Sequence, residues 1–128
     1  TLNSRNVFSV LVNAQDQLLV RGEPVKIEDL RERAKNFILN PNQQSDLAES
    51  PKEAIISLKN DRGTHFKQYL GVYNELKAAY SELWNEEAQK RFRKESVEDC
   101  TKEQQNEIRK FIPFVLSEAE PTSYGDEK

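Results

Sequence analysis

Apolar and polar positions alternate at the start of the chain and then change to a helical period. In Val7-Phe8-Ser9-Val10-Leu11-Val12 the side chains of Phe8, Val10 and Val12 share one parity, which predicts a strand. Asn13 to Asp16 supply turn residues and Gln17 to Arg21 a return strand, with Gly22 and Pro24 as punctuation. Ile27, Leu30, Ala34, Phe37 and Ile38 then fall on one stripe, predicting a helix from Ile27 to about Leu39. Glu28 and Asp29 lie in its first turn, where the helix dipole favours negative charge, and Asn40-Pro41 is a stop. The segment Pro41 to Lys52 has no period and is expected to be a mobile loop. Ala54-Ile55-Ile56-Ser57-Leu58 carries apolar residues on both parities, as a central strand covered on both faces would.

Asn60 to Thr64 reads as a turn with Thr64 as a candidate helix cap. A long helix follows, in which Phe66, Tyr69, Tyr73, Leu76, Tyr80, Leu83 and Trp84 keep a spacing of three or four residues. Residues 85–95 are highly charged, and the helix is expected to continue through them with a solvated surface. Thr101-Lys102-Glu103-Gln104 matches a capping box for a further helix to about Lys110. Phe111 to Ser117 reads as a last strand. Pro113, which has no N–H to donate, belongs at its start or on a sheet edge. The order β-β-α-β-α-α-β implies an α+β fold, a small mixed β-sheet with helices packed on one face. Residues 1–6 are expected to be a flexible lead-in, 7–119 the folded domain with 85–110 as a helical insertion, and 120–128 a disordered tail.

Composition narrows the function classes. At 128 residues, 36% apolar and 32% charged, the chain suits one well-solvated domain with a modest core. A net charge of -3 argues against nucleic acid and against a basic patch for anionic lipid. The single cysteine, Cys100, cannot form an intramolecular disulfide and reads as an incidental thiol. No apolar run approaches the roughly 20 residues of a membrane-spanning helix, and no signal-peptide pattern is present. Because the chain starts at Thr1 and contains no Met, it is expected to be a processed chain or a piece of a longer protein.

Candidate chemistry is sparse. His65 is the only histidine, no nucleophile elbow is present, and His65 is expected at the surface in the first turn of the long helix. Cys100, His65 and the carboxylates lack the paired spacings of a zinc site. Gly22, Gly63, Gly71 and Gly125 are too scattered to cradle a phosphate. Gly71, inside a helix, points to close packing against the sheet, and the aromatic series from Phe66 to Trp84 to core. Neither catalytic, metal nor cofactor residues are therefore named, and the chain is not expected to be an enzyme. The positive signal is a sheet edge, whose unpaired N–H and C=O groups can accept a partner strand. Val7, Phe8, Ser9, Val10, Leu11 and Val12 are the candidate partner-binding strand, since they follow the lead-in.

The continuous stretch from Val12 through Asn13-Ala14-Gln15-Asp16-Gln17-Leu18-Leu19-Val20-Arg21-Gly22-Glu23-Pro24 to Val25 resembles the hairpin opening the periplasmic domain of the ExbD/TolR family. The similarity continues through Ile55 to Thr64 and returns in Ser117 to Pro121, while 85–110 resembles an insertion found in extended, Bacteroidetes-like forms. The resemblance implies a single-pass protein of the cell inner membrane, with this domain in the periplasm. Its implied partners are an ExbB/TolQ-type proton-channel subunit, a TonB/TolA-type protein and a second copy of itself. The proton-carrying aspartate of the family lies in the membrane helix, so no residue here takes that role. An alternative within the same resemblance is a TolR-like peptidoglycan-binding module, with Tyr69, Tyr73 or Trp84 lining a sugar groove.

Overall fold

The computed structural model of the chain describes residues 3–118. It is an α+β fold built on a five-stranded mixed sheet of order β3-β2-β1-β4-β5. The strands are β1 (Val7–Val12), β2 (Leu18–Val20), β3 (Glu23–Pro24), β4 (Ile55–Asn60) and β5 (Leu116–Glu118), and the helices α1 (Ile27–Leu39), α2 (Phe66–Phe92) and α3 (Lys102–Phe111). The expected order holds, with β3 as an additional two-residue strand paired to β2. Its turn is made by Arg21 and Gly22, both at positive φ (51° and 85°), as a two-residue hairpin following the sheet's twist requires. The last strand is shorter than Phe111 to Ser117: α3 runs on to Phe111, and pairing with β4 begins only after Pro113.

β1 runs antiparallel to β2 and parallel to β4, in register from Val7 opposite Ile55 to Val12 opposite Asn60. This register places Phe8, Val10, Val12, Leu18, Val20, Ile56 and Leu58 on one buried face. Leu30, Ala34, Phe37 and Ile38 of α1 and Val72, Leu76, Ala79, Tyr80 and Leu83 of α2 complete that core. Among the described residues no helix lies over the other face. Ile55 and Ser57 are half-buried there and Lys59 is exposed, so β4 is covered on one side rather than on both. Ser9, Ser57 and Ser117 lie side by side across this open face.

The two long helices are joined by charge at their outer seam. Arg31 of α1 makes a forked pair with Glu75 (Nε 3.0 Å, Nη2 3.1 Å) and reaches Glu82 at 2.6 Å. Lys35 pairs with Glu82 at 3.0 Å and Glu86 at 2.7 Å. These partners hold the Glu82 carboxyl below its ordinary range. Gly71 faces this same seam: a Cβ there would meet Ile27 Cδ1 at 3.5 Å, so the close approach is to α1 and not to the sheet.

α2 continues into the charged run as far as Phe92 and is stopped before its end by Arg93, which adopts a left-handed conformation. Val97 and Cys100, beyond it, join Ala88 of α2 and Ile108 of α3 in a second small cluster against Trp84 and Phe92. The Thr101–Gln104 capping box forms as the sequence predicts. Buried Glu87 is met by Arg91 at 2.7 Å, and Arg91 also reaches Glu107 at 3.3 Å.

Two segments expected to be loose are tied down. Residues 4–6 form a 3-10 turn in which Arg5 Nε donates to Leu47 O at 2.8 Å, and buried Asn6 exchanges hydrogen bonds with Glu49. The loop after α1 is organised by Asn40, which adopts the left-handed conformation at the helix end. Its buried amide donates to Gln44 O and Ala48 O at 2.9 Å each, and its Oδ1 accepts from Gln44 N at 2.8 Å. The start of α2 is held differently from expectation. Thr64 Oγ1 reaches the carbonyls of Val12 and Asn13, and Asp16, from the β1–β2 turn, accepts both the His65 N–H (3.0 Å) and the His65 ring Nδ1 (2.5 Å). The expected tail 120–128 and the first two residues of the lead-in lie outside the described residues.

Asn40→Ala should cost about 3 kcal/mol in chemical denaturation, since it strands buried backbone groups and puts a Cβ-bearing residue without local hydrogen bonds at positive φ. Asn40→Gly keeps the backbone conformation and should lose less, which separates the two causes. The Asp16 carboxyl is held below its ordinary value of 3.8 by the His65 backbone N–H first and the His65 side chain second. A depressed folded-state value means that its contribution is present above the ordinary aspartate range and is lost as pH falls through the folded value. Urea midpoints measured from neutral to acid pH should therefore fall less steeply in Asp16→Asn than in the parent chain.

Candidate partner-binding edge

A sheet offers a partner only those backbone groups that its own strands leave unpaired. β1 is the middle strand, bonded to β2 on one side and β4 on the other, so the strand Val7–Val12 is not an edge. This corrects the expectation for Val7, Phe8, Ser9, Val10, Leu11 and Val12. The lead-in does not free the strand, because β4, some forty residues later, pairs along its whole length.

The first half of β1 extends beyond β2, whose register covers only Val10 to Val12. A side chain occupies that gap. Arg21 N–H donates to Ser9 O at 2.8 Å, and its guanidinium donates to Val7 O (3.2 and 3.0 Å), to Arg5 O (3.0 Å) and to Asp46 O. The same guanidinium lies 4.9 Å from the Phe37 ring centre. Burial lowers its proton affinity, with Asp46 opposing. The β3 border is closed by its shortness and by Pro24, which has no N–H.

The remaining border is β5. It runs parallel to β4 with Leu116 opposite Ile56, and Ile56 N–H donates to Val115 O at 3.0 Å. In a parallel ladder alternate residues bond to the same neighbour. Val115 and Ser117 therefore face β4, while the N–H and C=O of Leu116 and the N–H of Glu118 point outward. Among the described residues nothing bonds to that outer side.

Beside this border α2 presents an aromatic wall. The Tyr69 hydroxyl donates to the Glu118 carboxylate, and burial, followed by that bond, raises the tyrosine's pKa. Phe114, 42% exposed, stands edge-on to Tyr80 at 4.9 Å and to Trp84 at 6.4 Å between ring centres. Trp84 Nε1 donates to Ile112 O at 2.8 Å, which fixes the approach to β5. The buried Tyr80 hydroxyl lies by the Val115 backbone without a hydrogen bond of normal geometry, and burial pushes it up to about 12. Lys77 Nζ lies 5.6 Å over Tyr73, and the Arg109 guanidinium 5.0 Å over Trp84. Tyr69, Tyr73 and Trp84 thus share one side of α2, half-buried, whereas Phe66 is 72% exposed and lies outside the core predicted for the aromatic series.

The other candidates stay apart. His65 is mostly exposed and engaged with Asp16, and Cys100 is buried in the second cluster. Among the described residues no three His, Cys, Asp or Glu side chains gather as metal ligands. No helix among them is long and apolar enough to cross a membrane. No family model and no curated protein matches the chain. The β5 border was partly visible in the sequence, where Pro113 marks an edge. The protection of β1 by Arg21 had no local signal, because its acceptors, Arg5 O and Val7 O on one stretch and Asp46 O on another, are distant from it in sequence.

Arg21→Ala should destabilise the fold by about 2 kcal/mol, since several carbonyls lose a charged donor. It should also open the first half of β1 to strand pairing. Sedimentation velocity should then show self-association of the variant at concentrations where the parent chain is unchanged.

Proposed function

We propose that the chain is the periplasmic coupling domain of a proton-driven energy transducer of the ExbD/TolR type. A membrane helix before Thr1 would anchor it beside an ExbB/TolQ-type channel subunit, and the domain would pass force to a TonB/TolA-type partner, working as a homodimer. The observation that carries the reading is the arrangement of the resembling segments. The hairpin Val12–Val25 and the strand and turn Ile55–Thr64 are brought together at β1 and β4, with one sheet border, β5, unbonded on its outer side among the described residues. The work of such a domain is binding and transmission, so it uses no catalytic group. A carboxylate able to move protons belongs in the membrane segment, where the potential is worth about 2.3 kcal/mol per charge per 100 mV.

A peptidoglycan-binding role of the TolR kind is favoured by one feature, the half-exposed Tyr69, Tyr73 and Trp84 on one side of α2. Co-sedimentation with purified sacculi separates the two, because force transfer alone needs no affinity for the wall.

Translating the gene upstream of Thr1 tests the main reading. A single apolar stretch of about 20 residues carrying one aspartate should precede the domain. A cleavable signal peptide or another soluble domain in that place would end it.

A further inference from the structure

The open border and the wall beside it define what they can hold, and this inference deepens the strand-edge coupling proposed above. We propose that β5 and the aromatic side of α2 form a groove for an extended acidic-apolar segment of a partner protein, bound as a sixth strand.

Three observations fix the chemistry of that segment. The outward N–H and C=O of Leu116 and the outward N–H of Glu118 ask for a backbone in extended form, since only a strand presents complementary groups at this spacing. Leu116 lies opposite Ile56 on the helix-covered face, so a strand added beside it turns alternate side chains toward that face. There they meet Tyr73, half-buried Leu116 and the Phe114 ring, which favour apolar or aromatic groups. The intervening side chains pass the exposed Ser117 on the open face and can be polar.

Charge selects further. The charged groups over the wall are Lys77 on Tyr73 and Arg109 on Trp84. Among the described residues neither has a carboxylate partner, unlike Arg31, Lys35 and Arg91, which are all paired to glutamates. The acid at the end of the groove, Glu118, accepts from the Tyr69 hydroxyl and keeps its negative charge, so the acidic positions of the segment belong beside Lys77 and Arg109 and away from Glu118. A segment carrying Asp or Glu beside its apolar positions meets both cations, whereas a lysine-rich one is repelled. A second copy of the chain would bring Lys77 and Arg109 again, which is why the occupant is a different protein.

The test uses the whole 128-residue chain and end-blocked peptides long enough to span β5. One alternates Val or Phe with Asp or Ser, and a control has Lys in place of Asp. Backbone amide shifts and the fluorescence of Trp84, the only tryptophan, report binding. The acidic peptide should saturate with amide shifts centred on Leu116 and Glu118, and the lysine peptide should bind at least about tenfold more weakly. Lys77→Glu should weaken the acidic peptide about tenfold. Leu116→Pro, which removes an outward N–H that β4 does not use, should abolish binding while circular dichroism stays that of the parent. Should Leu116→Pro unfold the chain, the acidic peptide N-methylated at alternate residues serves instead and should not bind. The proposal is overturned by absence of saturable binding, by equal affinity for the lysine peptide, by shifts elsewhere on the surface, or by self-association through β5 that excludes the peptide. None of these outcomes bears on whether an anchoring helix precedes Thr1, so the coupling reading stands or falls by its own measurement.

Discussion

The parallel pairing of β1 with β4 fixes nearly everything else in this domain. It joins the opening hairpin to a strand more than forty residues later and sets the parity that turns Phe8, Val10, Ile56 and Leu58 toward the helices. With β1 in the middle, β3 and β5 become the two borders that the sheet has to manage. A slip of one residue in this register would send the buried set to the open face, where Ser9, Ser57 and Lys59 now lie. The core therefore enforces the register, and the register decides which backbone groups remain available.

Each vulnerable border is treated by a different physical means. A side chain does the work of a missing strand where Arg21 supplies donors to the carbonyls beyond the end of β2. An imino acid removes the donor at Pro24. At β5 neither device is used. The strand is only three residues long and bears Ser117 and Glu118, which keeps a border left unbonded among the described residues from becoming an aggregation site. The helical extension of α2 and α3 bears on this as well, since Trp84 and Ile112 hold the entry to β5 through a hydrogen bond made outside the sheet.

How much of this could be read from the sequence follows from the distance over which each feature is determined. The stripe Ile27, Leu30, Ala34, Phe37, Ile38 and the Thr101–Gln104 box are local, and α1 and α3 form where those patterns place them. Strand order is non-local. The alternation in Val7 to Val12 shows a half-buried strand but carries no record of the partners on either side, so its place at the sheet's centre was not legible. The same holds for the loop after α1. Its polar composition reads as mobile, yet one buried amide, Asn40, ties Gln44 and Ala48 in its interior to the end of α1. Asp16 displaced Thr64 as the group at the start of α2 because a carboxylate brought in by the hairpin turn accepts a main-chain N–H as well as a capping hydroxyl does, and leaves Thr64 to tie down the end of β1.

Among the described residues, electrostatics divides α2 lengthwise into a paired side and an unpaired one. On the α1 side its acids, Glu75, Glu82 and Glu86, are taken up by Arg31 and Lys35, and that seam is closed. Such partly exposed pairs contribute modestly to stability, on the order of 0–1 kcal/mol each, but they fix how the helices lie against each other. The far side, with its tyrosines and Lys77, meets β5 and its approach and is half-open to solvent. A helix fixed on one side and adaptable on the other can take up a guest strand without disturbing the core beneath it. Buried Leu76, Ala79 and Leu83 lie between the two sides and isolate them. The charged seam is thus a condition for the groove: it lets α2 spend its aromatic residues on the border of the sheet instead of on its packing with α1.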